Sequence, residues 1–591
     1  MGQFFKFLLA SCLGVFLALI ALFGIGAIVI AGIANRADKP AKVQPNSVLH
    51  LTFPQPVPEK TNNIQVVSFK PSDSKIMGLH DMLRALEQAQ ADDNIKGVFL
   101  DAPNGVLAGM ATVNSLRDAL EAFHAAGKFI VAYGDYYTQG SYYLATTSDA
   151  IVLNPNGLVD FRGFSAQVPF YKNMFDKIGL SIEVFYAGKY KSATEPFRRT
   201  NMSAESREQV REYLEDTYGE FLADIARTRG KNVAEIRSLA DSYAGFQPDK
   251  ALEAGVVDEL GYREDAMKFM RGRLGLKDDE KVKLVTLTNY FKSNPLKPDY
   301  SVKDKIAIVY AEGTILDGKA EYGSVGSTNY LKILQEVRRD KRVKAVVLRV
   351  NSPGGSAIAS ENIWYEVQQI KNSGRPVVVS MGDYAASGGY YIACLADTIV
   401  AEPVTLTGSI GVFSTIPNAQ KMLNDKLGIN FDTVSTGPFS TGITPVITMS
   451  EAERKLLQAR TDQSYEFFLQ RVAEGRGMSR DKVHEIAQGR VWTGLRAKEI
   501  GLVDEIGDLN RALEIAANMA GMSKYRITEY PRTKEPFQQF LESLTGGDEA
   551  AVETLLLRQK FGDWYPYYQT LKEIHDAKGV QARLPFVIPF R

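Results

Sequence analysis

Short apolar runs alternate with amphipathic stretches over most of the chain. Strand-like apolar runs at residues 48–53, 97–100 and 129–133 are separated by helical patterns at residues 79–91 and 113–126. Apolar runs of about four to eight residues are typical of buried strands, and apolar positions repeating every three to four residues are typical of helices. The alternation predicts crossover units and a mainly parallel sheet, and therefore an α/β fold.

The longest apolar run lies at the N-terminus, where residues 7–33 form 27 consecutive uncharged positions. About 20 such residues cross the hydrocarbon core of a bilayer, so we predict one transmembrane helix over 7–33. The alternative is a cleavable secretory signal, since Gly32-Ile33-Ala34 is a passable cleavage site. The apolar region of such signals is only about 7 to 15 residues long, which favours a retained anchor. Basic residues flank the run on both sides, so charge alone does not fix its orientation.

The series of predicted elements occurs twice in the chain. The offset between matching segments stays within a few residues of 248. A constant offset over this length indicates a tandem duplication of one α/β domain. Three pairs of segments show it most clearly: residues 93–100 with 341–348, 142–145 with 390–393, and 254–261 with 500–507.

The repeat also sets the expected domain boundaries. The proline-containing stretch 284–303 is predicted to link the two halves. Each half contains a long amphipathic helix, over residues 204–229 and 451–475, and the second begins with a capping box at Ser450 and Glu453. The chain is thus divided into a short N-terminal segment 1–6, the anchor 7–33, a first domain 34–283, the linker 284–303, a second domain 304–530 and an extension 531–591.

Composition excludes several classes of function. Lysine plus arginine and aspartate plus glutamate both number 69, so global charge does not predict a nucleic-acid partner. The two cysteines, Cys12 and Cys394, cannot form a disulfide framework or a zinc-thiolate site, and no metal or other cofactor is expected. The five histidines lie outside the motifs below, which makes a Ser-His-Asp triad less favoured, although distant residues could still converge.

The chemistry is expected where the two halves differ. Ser409, in the T-L-T-G-S-I-G-V stretch, aligns with Phe161 of the first half, whereas Lys191, in G-K-Y-K-S, aligns with Ser440 of the second half. One half thus supplies a serine and the other a lysine. A lysine activates a serine only when its amine is neutral, which requires burial or nearby positive charge. Lys189 is a second candidate base, and spacing does not choose between the two lysines.

A glycine turn in the second half could stabilise a reaction intermediate. Gly354 and Gly355 follow the buried strand 345–350 directly, and the first half lacks this double glycine. A turn of this kind presents unpaired backbone N–H groups, the donors that an oxyanion hole needs. We predict Gly354 and Gly355 as donors, together with the amide of Ile410 beside Ser409.

These motifs strongly resemble the signal peptide peptidase A family, in its long, duplicated, membrane-anchored bacterial form within the Clp protease/crotonase superfamily. The resemblance covers residues 1–530 and rests on the motifs at 188–193, 351–356, 385–391 and 407–413. It implies two Clp protease/crotonase-like domains after the transmembrane helix. It further implies a Ser/Lys endopeptidase with Ser409 as nucleophile and Lys191, rather than Lys189, as general base.

The resemblance also implies the setting of the reaction. The expected substrates are cleaved signal peptides and other apolar peptides in the bacterial cytoplasmic (inner) membrane. The chain would contact the bilayer through residues 7–33, carry its catalytic domains on the periplasmic side and assemble as a homotetramer.

Three alternatives stay open. In the related Clp proteases the nucleophile stands in an A-S-x-G motif, which here contains Ser387; the first half has Gln139 there, so the repeat does not decide. If Ser409 is the nucleophile, Ser387 is expected to cap a helix. The other two alternatives are a crotonase-type acyl-CoA enzyme and a catalytically inactive membrane scaffold.

Overall fold

The computed structural model describes residues 43–63, 76–101, 105–295, 299–320, 323–532 and 579–584, with scattered residues between 3 and 18 and residues 557 and 560. The predicted transmembrane span 7–33 lies almost wholly outside these residues. Within the described ranges, no helix is both long enough and apolar enough to cross a bilayer.

The first half contains seven strands and ten α-helices within the described ranges. Its strands are β1 Ser47–Leu51, β2 Ile95–Asp101, β3 Phe129–Tyr137, β4 Ala150–Val159, β5 Ser181–Ala187, β6 Glu259–Leu260 and β7 Lys283–Thr286. Its helices are α1 Leu79–Ala91, α2 Met110–Ala125, α3 Gln139–Ala145, α4 Lys172–Ile178, α5 Glu195–Arg198, α6 Ala204–Arg229, α7 Val233–Asp241, α8 Pro248–Glu253, α9 Arg263–Leu274 and α10 Leu287–Ser293.

The second half repeats this series within the described ranges. Its strands, with one from the C-terminal extension, are β8 Lys305–Glu312, β9 Thr314–Leu316, β10 Ser324–Gly326, β11 Val343–Ser352, β12 Gly354–Ser356, β13 Val377–Ala386, β14 Thr398–Ala401, β15 Leu406–Gly408, β16 Val412–Asn418, β17 Val491–Thr493, β18 Glu505–Ile506, β19 Arg526–Tyr530 and β20 Gln581–Arg583. Its helices are α11 Ser327–Arg339, α12 Ala357–Asn372, α13 Gly388–Ala393, α14 Glu451–Arg476, α15 Arg480–Ile486, α16 Gly494–Glu499 and α17 Leu509–Met519.

Each half has its own largely parallel sheet, as the pattern predicted. The first sheet runs β6-β4-β3-β2-β1-β7 with every neighbouring pair parallel. The second runs β17-β15-β13-β11-β8-β19, with β14 and β18 alongside β13, and only its β15–β17 pair is antiparallel among the described strands. The central strands are buried on both faces, which explains their continuous apolar sequences.

A third sheet joins the halves, in the order β10-β9-β12-β20-β16-β5. Strand β5 of the first half pairs antiparallel with β16 of the second over the whole of both strands, from Val412 opposite Ala187 to Asn418 opposite Ser181. Strand β20 comes from the C-terminal extension and lies between β12 and β16. The two halves therefore share one sheet. Its β5–β16 pair brings the segment before Lys191 next to the segment after Ser409.

Equivalent hydrogen bonds confirm the duplication at the level of side chains. The hydroxyl of Tyr142 donates to the carbonyl oxygen of Val256 at 2.9 Å, and that of Tyr390 donates to Leu502 at 2.8 Å. Likewise, Asp149 accepts from the amide of Ile130 and Asp397 accepts from that of Val377, both at 2.8 Å. In both halves the tyrosine ties its helix to the loop before a short strand, β6 or β18, and the aspartate ties its loop to the neighbouring strand, β3 or β13.

The structure agrees with two predicted helix boundaries and moves one domain boundary. The capping box at Ser450 and Glu453 begins α14, and α6 ends at Arg229, both as predicted. The stretch 284–303, predicted as a linker, instead begins within the first unit: β7 pairs with β1, and α10 packs beside α1. The first unit therefore continues to Ser293, and the connection between the halves is shorter than the proline content indicated.

Candidate active site

Ser387 stands at a sharp turn between strand β13 and helix α13. Its backbone has φ 56° and ψ −116°, a conformation that residues with a side chain rarely adopt. The small residues around it allow this turn: a Cβ on Gly388 would lie 2.7 Å from Ser360 Oγ, and one on Gly389 would lie 2.6 Å from the carbonyl oxygen of Ser352. A strained serine between strand and helix is the geometry of a nucleophile elbow.

Ser409 lies beside this turn, at the end of the neighbouring strand. Pairing of β13 with β15 sets Ala386 opposite Gly408, and the amide of Ser387 donates to the carbonyl oxygen of Gly408 at 2.8 Å. Ser409 also has a positive φ, 51°, and its own amide donates to the carbonyl oxygen of Arg490 at 2.7 Å. The two serines that the sequence left as rivals are therefore neighbours.

Lys191 reaches both serines from the first half. Its Nζ lies 2.8 Å from Ser387 Oγ, 3.0 Å from Ser409 Oγ and 3.1 Å from the carbonyl oxygen of Ser409. The loop that carries Lys191 follows β5. The pairing of β5 with β16 places this loop beside Ser409, because Ala187 lies opposite Val412. The whole contact forms within one chain, so the lysine need not come from a neighbouring protomer.

The lysine loop is held in place by close backbone packing. The amide of Tyr190 donates to the carbonyl oxygen of Gln488 at 2.9 Å, and Gln209 of α6 donates to that of Tyr190 at 3.0 Å. A Cβ on Gly489 would lie 2.7 Å from the Cα of Lys191, so this position requires glycine. Lys191 is therefore fixed by contacts from both halves.

Burial sets the protonation state of Lys191. Its side chain is 1% exposed, and Ser387 and Ser409 have no exposed surface. Loss of hydration disfavours the charged ammonium, so burial lowers the pKa of Lys191 well below its ordinary value. Lys189, the second candidate, is exposed, and its Nζ lies over the ring of Tyr190 at 5.1 Å from the centroid. The environment that produces a neutral amine surrounds Lys191.

The predicted glycine turn lies against the Ser387 turn. Gly354 has φ 96°, and a Cβ on it would lie 2.7 Å from the amide nitrogen of Gly388. A Cβ on Gly388 would in turn lie 3.1 Å from the amide nitrogen of Gly355. The amide of Gly354 itself donates to Ser352 Oγ at 3.2 Å, so this predicted donor is already engaged.

Gly388 is a site residue that the sequence reasoning missed. Its signal was present, because the amide after a serine at a strand-to-helix turn is a usual oxyanion donor. Ile410, the third predicted donor, directly follows Ser409; its side chain lies in the core, and its carbonyl oxygen accepts from the amide of Gly489 at 2.8 Å. A donor role for the amide of Ile410 stays a prediction.

Four histidines lie in the described ranges, and each is bonded at another place in the fold. The partners are Asp101 for His50 at 3.0 Å, Tyr310 for His80 at 2.9 Å, Asp149 for His124 at 3.4 Å, and Tyr465 for His484 at 3.1 Å. These contacts give no support to a Ser-His-Asp triad.

Comparison with known proteins matches both halves to one family. The model of peptidase family S49 matches residues 122–277 and 369–523. Protease 4 of Haemophilus influenzae is 35% identical over 495 residues, covering 82% of this chain and 78% of that protein. The chloroplastic serine protease SPPA of Arabidopsis thaliana is 31% identical and covers 84% of this chain and 72% of that protein. The solved structure of a ClpP1 mutant from Listeria monocytogenes aligns with a TM-score of 0.24 at 17% identity, covering 35% of this chain and 94% of that chain.

Proposed function

The chain belongs to peptidase family S49 and is a serine protease of the long SppA type, and from this premise we propose that it works through a Ser/Lys dyad. One observation carries the proposal: Lys191 Nζ lies 2.8 Å from Ser387 Oγ and 3.0 Å from Ser409 Oγ in a buried site. Family membership leaves the acyl-CoA enzyme and the inactive scaffold without support.

We propose Ser409 as the nucleophile, as its T-G-S-I-G-V-F motif indicates, and an orienting role for Ser387. Distance to the lysine does not separate the two serines, and both have a positive φ, 51° at Ser409 and 56° at Ser387. The motif of the family resemblance therefore carries the choice. The opposite assignment, with Ser387 at its strand-to-helix turn as nucleophile and the amide of Gly388 as oxyanion donor, is the alternative that the experiment below decides.

In the proposed reaction, neutral Lys191 accepts the proton of Ser409 Oγ as that oxygen attacks a peptide carbonyl carbon. The amides of Gly355 and Ile410 stabilise the negative oxygen of the tetrahedral intermediate. The lysine then donates its proton to the leaving nitrogen, and by accepting a proton from a water molecule it activates that water to hydrolyse the acyl-enzyme. Ser387 accepts a hydrogen bond from the amine and keeps it directed at Ser409.

An apolar cleft supports an apolar peptide as the substrate. The cleft, of about 820 Å³, begins at Val580 and Ala357 near the glycine turn. Large apolar side chains that are about half exposed line it, namely Ile358, Phe439, Ile443, Leu456 and Phe467. Apolar surface of this kind usually marks a binding groove. It fits the apolar segment of a cleaved signal peptide, which we propose as the physiological substrate.

The sequence and the proposed substrate support a membrane setting. We propose that residues 7–33 anchor the chain in the bacterial cytoplasmic membrane, with the catalytic domains on the periplasmic side, and that the enzyme is a homotetramer. The uncharged run of 27 residues supports the anchor. The tetramer rests on the family resemblance alone.

Labelling with a fluorophosphonate, combined with cleavage of an apolar peptide, tests the dyad. Ser409→Ala is expected to abolish labelling and to lower kcat/KM by roughly 10³-fold or more. Ser387→Ala should keep the label at Ser409 and lower kcat/KM by on the order of 10-fold to 100-fold, because Ser387 only orients the base. If instead Ser387→Ala abolishes labelling and Ser409→Ala retains it, the two roles are exchanged.

A further inference from the structure

A carboxylate from the first half, that of Glu59, is buried in the second half near the carboxyl ends of strands β8, β11 and β13. Arg349 donates to it twice, from Nε at 2.8 Å and from Nη2 at 3.2 Å, and both side chains are almost fully buried. Nη1 of Arg349 donates to Ser380 Oγ at 2.8 Å and to the carbonyl oxygen of Met381 at 2.9 Å. The backbone amide of Glu59 donates to Glu312, the last residue of β8, at 2.9 Å. These bonds fix the position of the carboxylate against all three strands.

The same carboxylate orients the side chain of Asn351. Asn351 Nδ2 donates to Glu59 Oε1 at 2.8 Å, and Asn351 Oδ1 accepts from the amide of Tyr384 at 3.1 Å. A carboxylate can only accept hydrogen bonds, so it requires the NH2 end of the carboxamide to face it. Without the carboxylate the side chain could rotate by half a turn and set its NH2 group against the amide of Tyr384, where two donors would meet. Glu59 therefore determines which group Asn351 presents to β13.

Asn351 stands where the regular pairing of β11 with β13 breaks. The register of the two strands shifts between Val350 and Ser352, and the Asn351 side chain accepts from a β13 amide at this break. Gly382 lies in the same part of β13, and a Cβ on it would lie 2.4 Å from Glu59 Oε1. The irregular part of β13 is thus packed directly around the carboxylate. Irregular pairing of this kind redirects a strand and is common beside active sites.

The glycine turn of the candidate site follows this break directly. Ser352 Oγ donates to the carbonyl oxygen of Gly313 at 2.6 Å and accepts from the amide of Gly354 at 3.2 Å. The amide of Gly313 in turn donates to the carbonyl oxygen of Asn351 at 2.9 Å. Gly355, a proposed oxyanion donor, lies four residues after Asn351. A continuous set of hydrogen bonds thus leads from Glu59 to the turn.

The first half makes different contacts at the aligned position. Asp101, which aligns with Arg349, bonds within its own half, to His50 at 3.0 Å and to Arg263 at 3.1 Å. The charge at this position is therefore opposite in the two copies. The copy that contains Ser409 has the arginine that receives a carboxylate from the other half.

We propose that Glu59 is a positioning residue for the protease, and that through Arg349 and Asn351 it holds the glycine turn where the amide of Gly355 meets the negative oxygen of the intermediate. This inference rests on the proposed function. Because Glu59 acts through Asn351 rather than on the substrate, its loss should lower kcat more than it raises KM. The oxyanion forms only during the reaction, so a misplaced donor weakens the transition state rather than substrate binding.

Glu59→Gln in the purified full chain tests the proposal. The substitution keeps the shape of the side chain and one acceptor oxygen, but it removes the charge that faces Arg349 and no longer dictates the orientation of Asn351. On an apolar peptide we expect kcat to fall by on the order of 10-fold to 100-fold and KM to stay within about 2-fold of the wild type. The rate of fluorophosphonate labelling should fall in parallel.

The matched control is Glu529→Gln, the same change at the same junction between the halves. Glu529 bonds to His80 of the first half at 3.0 Å and accepts from the hydroxyl of Tyr310 at 2.8 Å. Its loss should lower thermal stability but leave kcat within about 2-fold of the wild type. Equal losses of kcat in Glu529→Gln and Glu59→Gln would show that the junction as a whole affects the turn, and would overturn the specific role of Glu59.

An exchange of the two interacting groups should restore activity. Asn351→Asp alone sets one carboxylate against another and should lose kcat as Glu59→Gln does. The double variant, Glu59→Gln with Asn351→Asp, again pairs one NH2 donor with one carboxylate and keeps a negative charge near Arg349, so it should recover most of the kcat. A double variant no better than the worse single one shows that the two side chains do not act as a pair, and it overturns the inference.

Asn351→Ala keeps the proposal testable if Glu59→Gln does not fold, because it leaves the pair of Glu59 and Arg349 intact. It should reproduce the loss of kcat. A folded Asn351→Ala or Glu59→Gln enzyme with the kcat of the wild type overturns the inference and leaves the proposed function intact. A wild type that neither cleaves the peptide nor takes the label overturns the proposed function, and the inference with it.

Discussion

The same strand, turn and helix occur in both halves, but the residue that precedes the helix differs in backbone conformation and stands one position later in the second copy. In the first half, Thr138 precedes α3 with an extended backbone, φ −69° and ψ 164°, and its side chain caps the helix by accepting from the amide of Ser141. In the second, Ser387 begins α13 with φ 56° and ψ −116° and makes no cap bond. The first copy has an ordinary helix start, whereas the second directs a hydroxyl at a buried amine.

The two copies also fill the neighbouring space differently. Gln139, which aligns with Ser387, donates to the carbonyl oxygen of Gly163 at 3.1 Å and accepts from its amide at 3.0 Å. Phe161, which aligns with Ser409, is fully buried against Tyr142 and Phe221, with ring centroids 5.3 and 6.1 Å away. At these aligned positions the first half makes structural contacts. The second half instead places two serine hydroxyls beside the buried amine of Lys191.

The largest expected effect comes from the lysine that serves this polar site. Lys191→Met keeps most of the buried volume and removes the amine, so kcat/KM on an apolar peptide should fall by roughly 10³-fold to 10⁴-fold without loss of fold. In the wild type, kcat/KM should rise with pH as Lys191 loses its proton, over a range below its ordinary pKa of 10.5, since burial lowers that pKa.

The matched control is Lys189→Met, two residues away and exposed. It should leave both kcat/KM and its pH profile close to those of the wild type. If Lys189→Met loses as much activity as Lys191→Met, the base has been assigned to the wrong lysine.

A smaller effect is expected from the core that replaced the site in the first half. Phe161→Ala removes a buried ring and should lower the free energy of unfolding by about 3 to 5 kcal/mol. The aligned change, Ser409→Ala, removes one hydroxyl and should leave thermal stability nearly unchanged while slowing peptide cleavage. Calorimetry and peptidase assays on both variants check this. Equal stability losses at the two positions would mean that Ser409, too, serves mainly the fold.

The third effect concerns a buried carboxyl group, Glu402, whose aligned position in the first half carries no carboxyl group. Glu402 accepts from Ser115 Oγ of helix α2 at 2.7 Å, and burial raises the pKa of Glu402 to about 8. The aligned residue, Asn154, is partly exposed and donates to Asp135 at 2.8 Å. Because the native state retains a proton that the unfolded state loses above about pH 4.5, Glu402 makes stability fall as pH rises from there through 8.

Glu402→Gln should remove this dependence. Relative to the wild type, the variant should be more stable at pH 9 than at pH 5, by on the order of 2 kcal/mol after solvent relaxation. Thermal unfolding at the two pH values measures the difference, with Asn154→Gln as the control expected to show none. A wild type and Glu402→Gln with parallel pH profiles would mean that Glu402 titrates as an ordinary carboxyl.

The repeated elements were predictable because their patterns are local. Strands such as β2 and β3 have continuous apolar sequences, and α1 and α6 have helical periodicity with clear ends, so their positions agree within a few residues. The predicted linker begins too early in the chain, because β7 is short and the prolines that indicated a linker, Pro295 and Pro298, come after β7. The pairing of Lys191 with a serine could be predicted from the asymmetry of the two copies.

The choice between the serines does not follow from the fold alone, since both lie beside Lys191. The positive φ of Ser387 occurs where α13 packs against β11 and β12, and no periodic pattern in the sequence marks it. The strand β20 escaped the sequence reasoning for a similar reason: three residues outside the repeat have no period to detect. The contact of Lys191 with Ser387 and the pairing of β20 with β12 each join segments that are about 200 residues apart in the chain.

Strands β12 and β16 are separated by the width of one strand, and β20 fills that space in the shared sheet. A peptide that pairs in this space is selected first by its backbone conformation, because the hydrogen bonds of strand pairing come from the main chain, which is the same in every sequence. A helix has no free backbone edge and must unwind before it can pair between β12 and β16. A folded domain cannot pair there. A peptide that pairs in this space must therefore be extended, whatever its side chains.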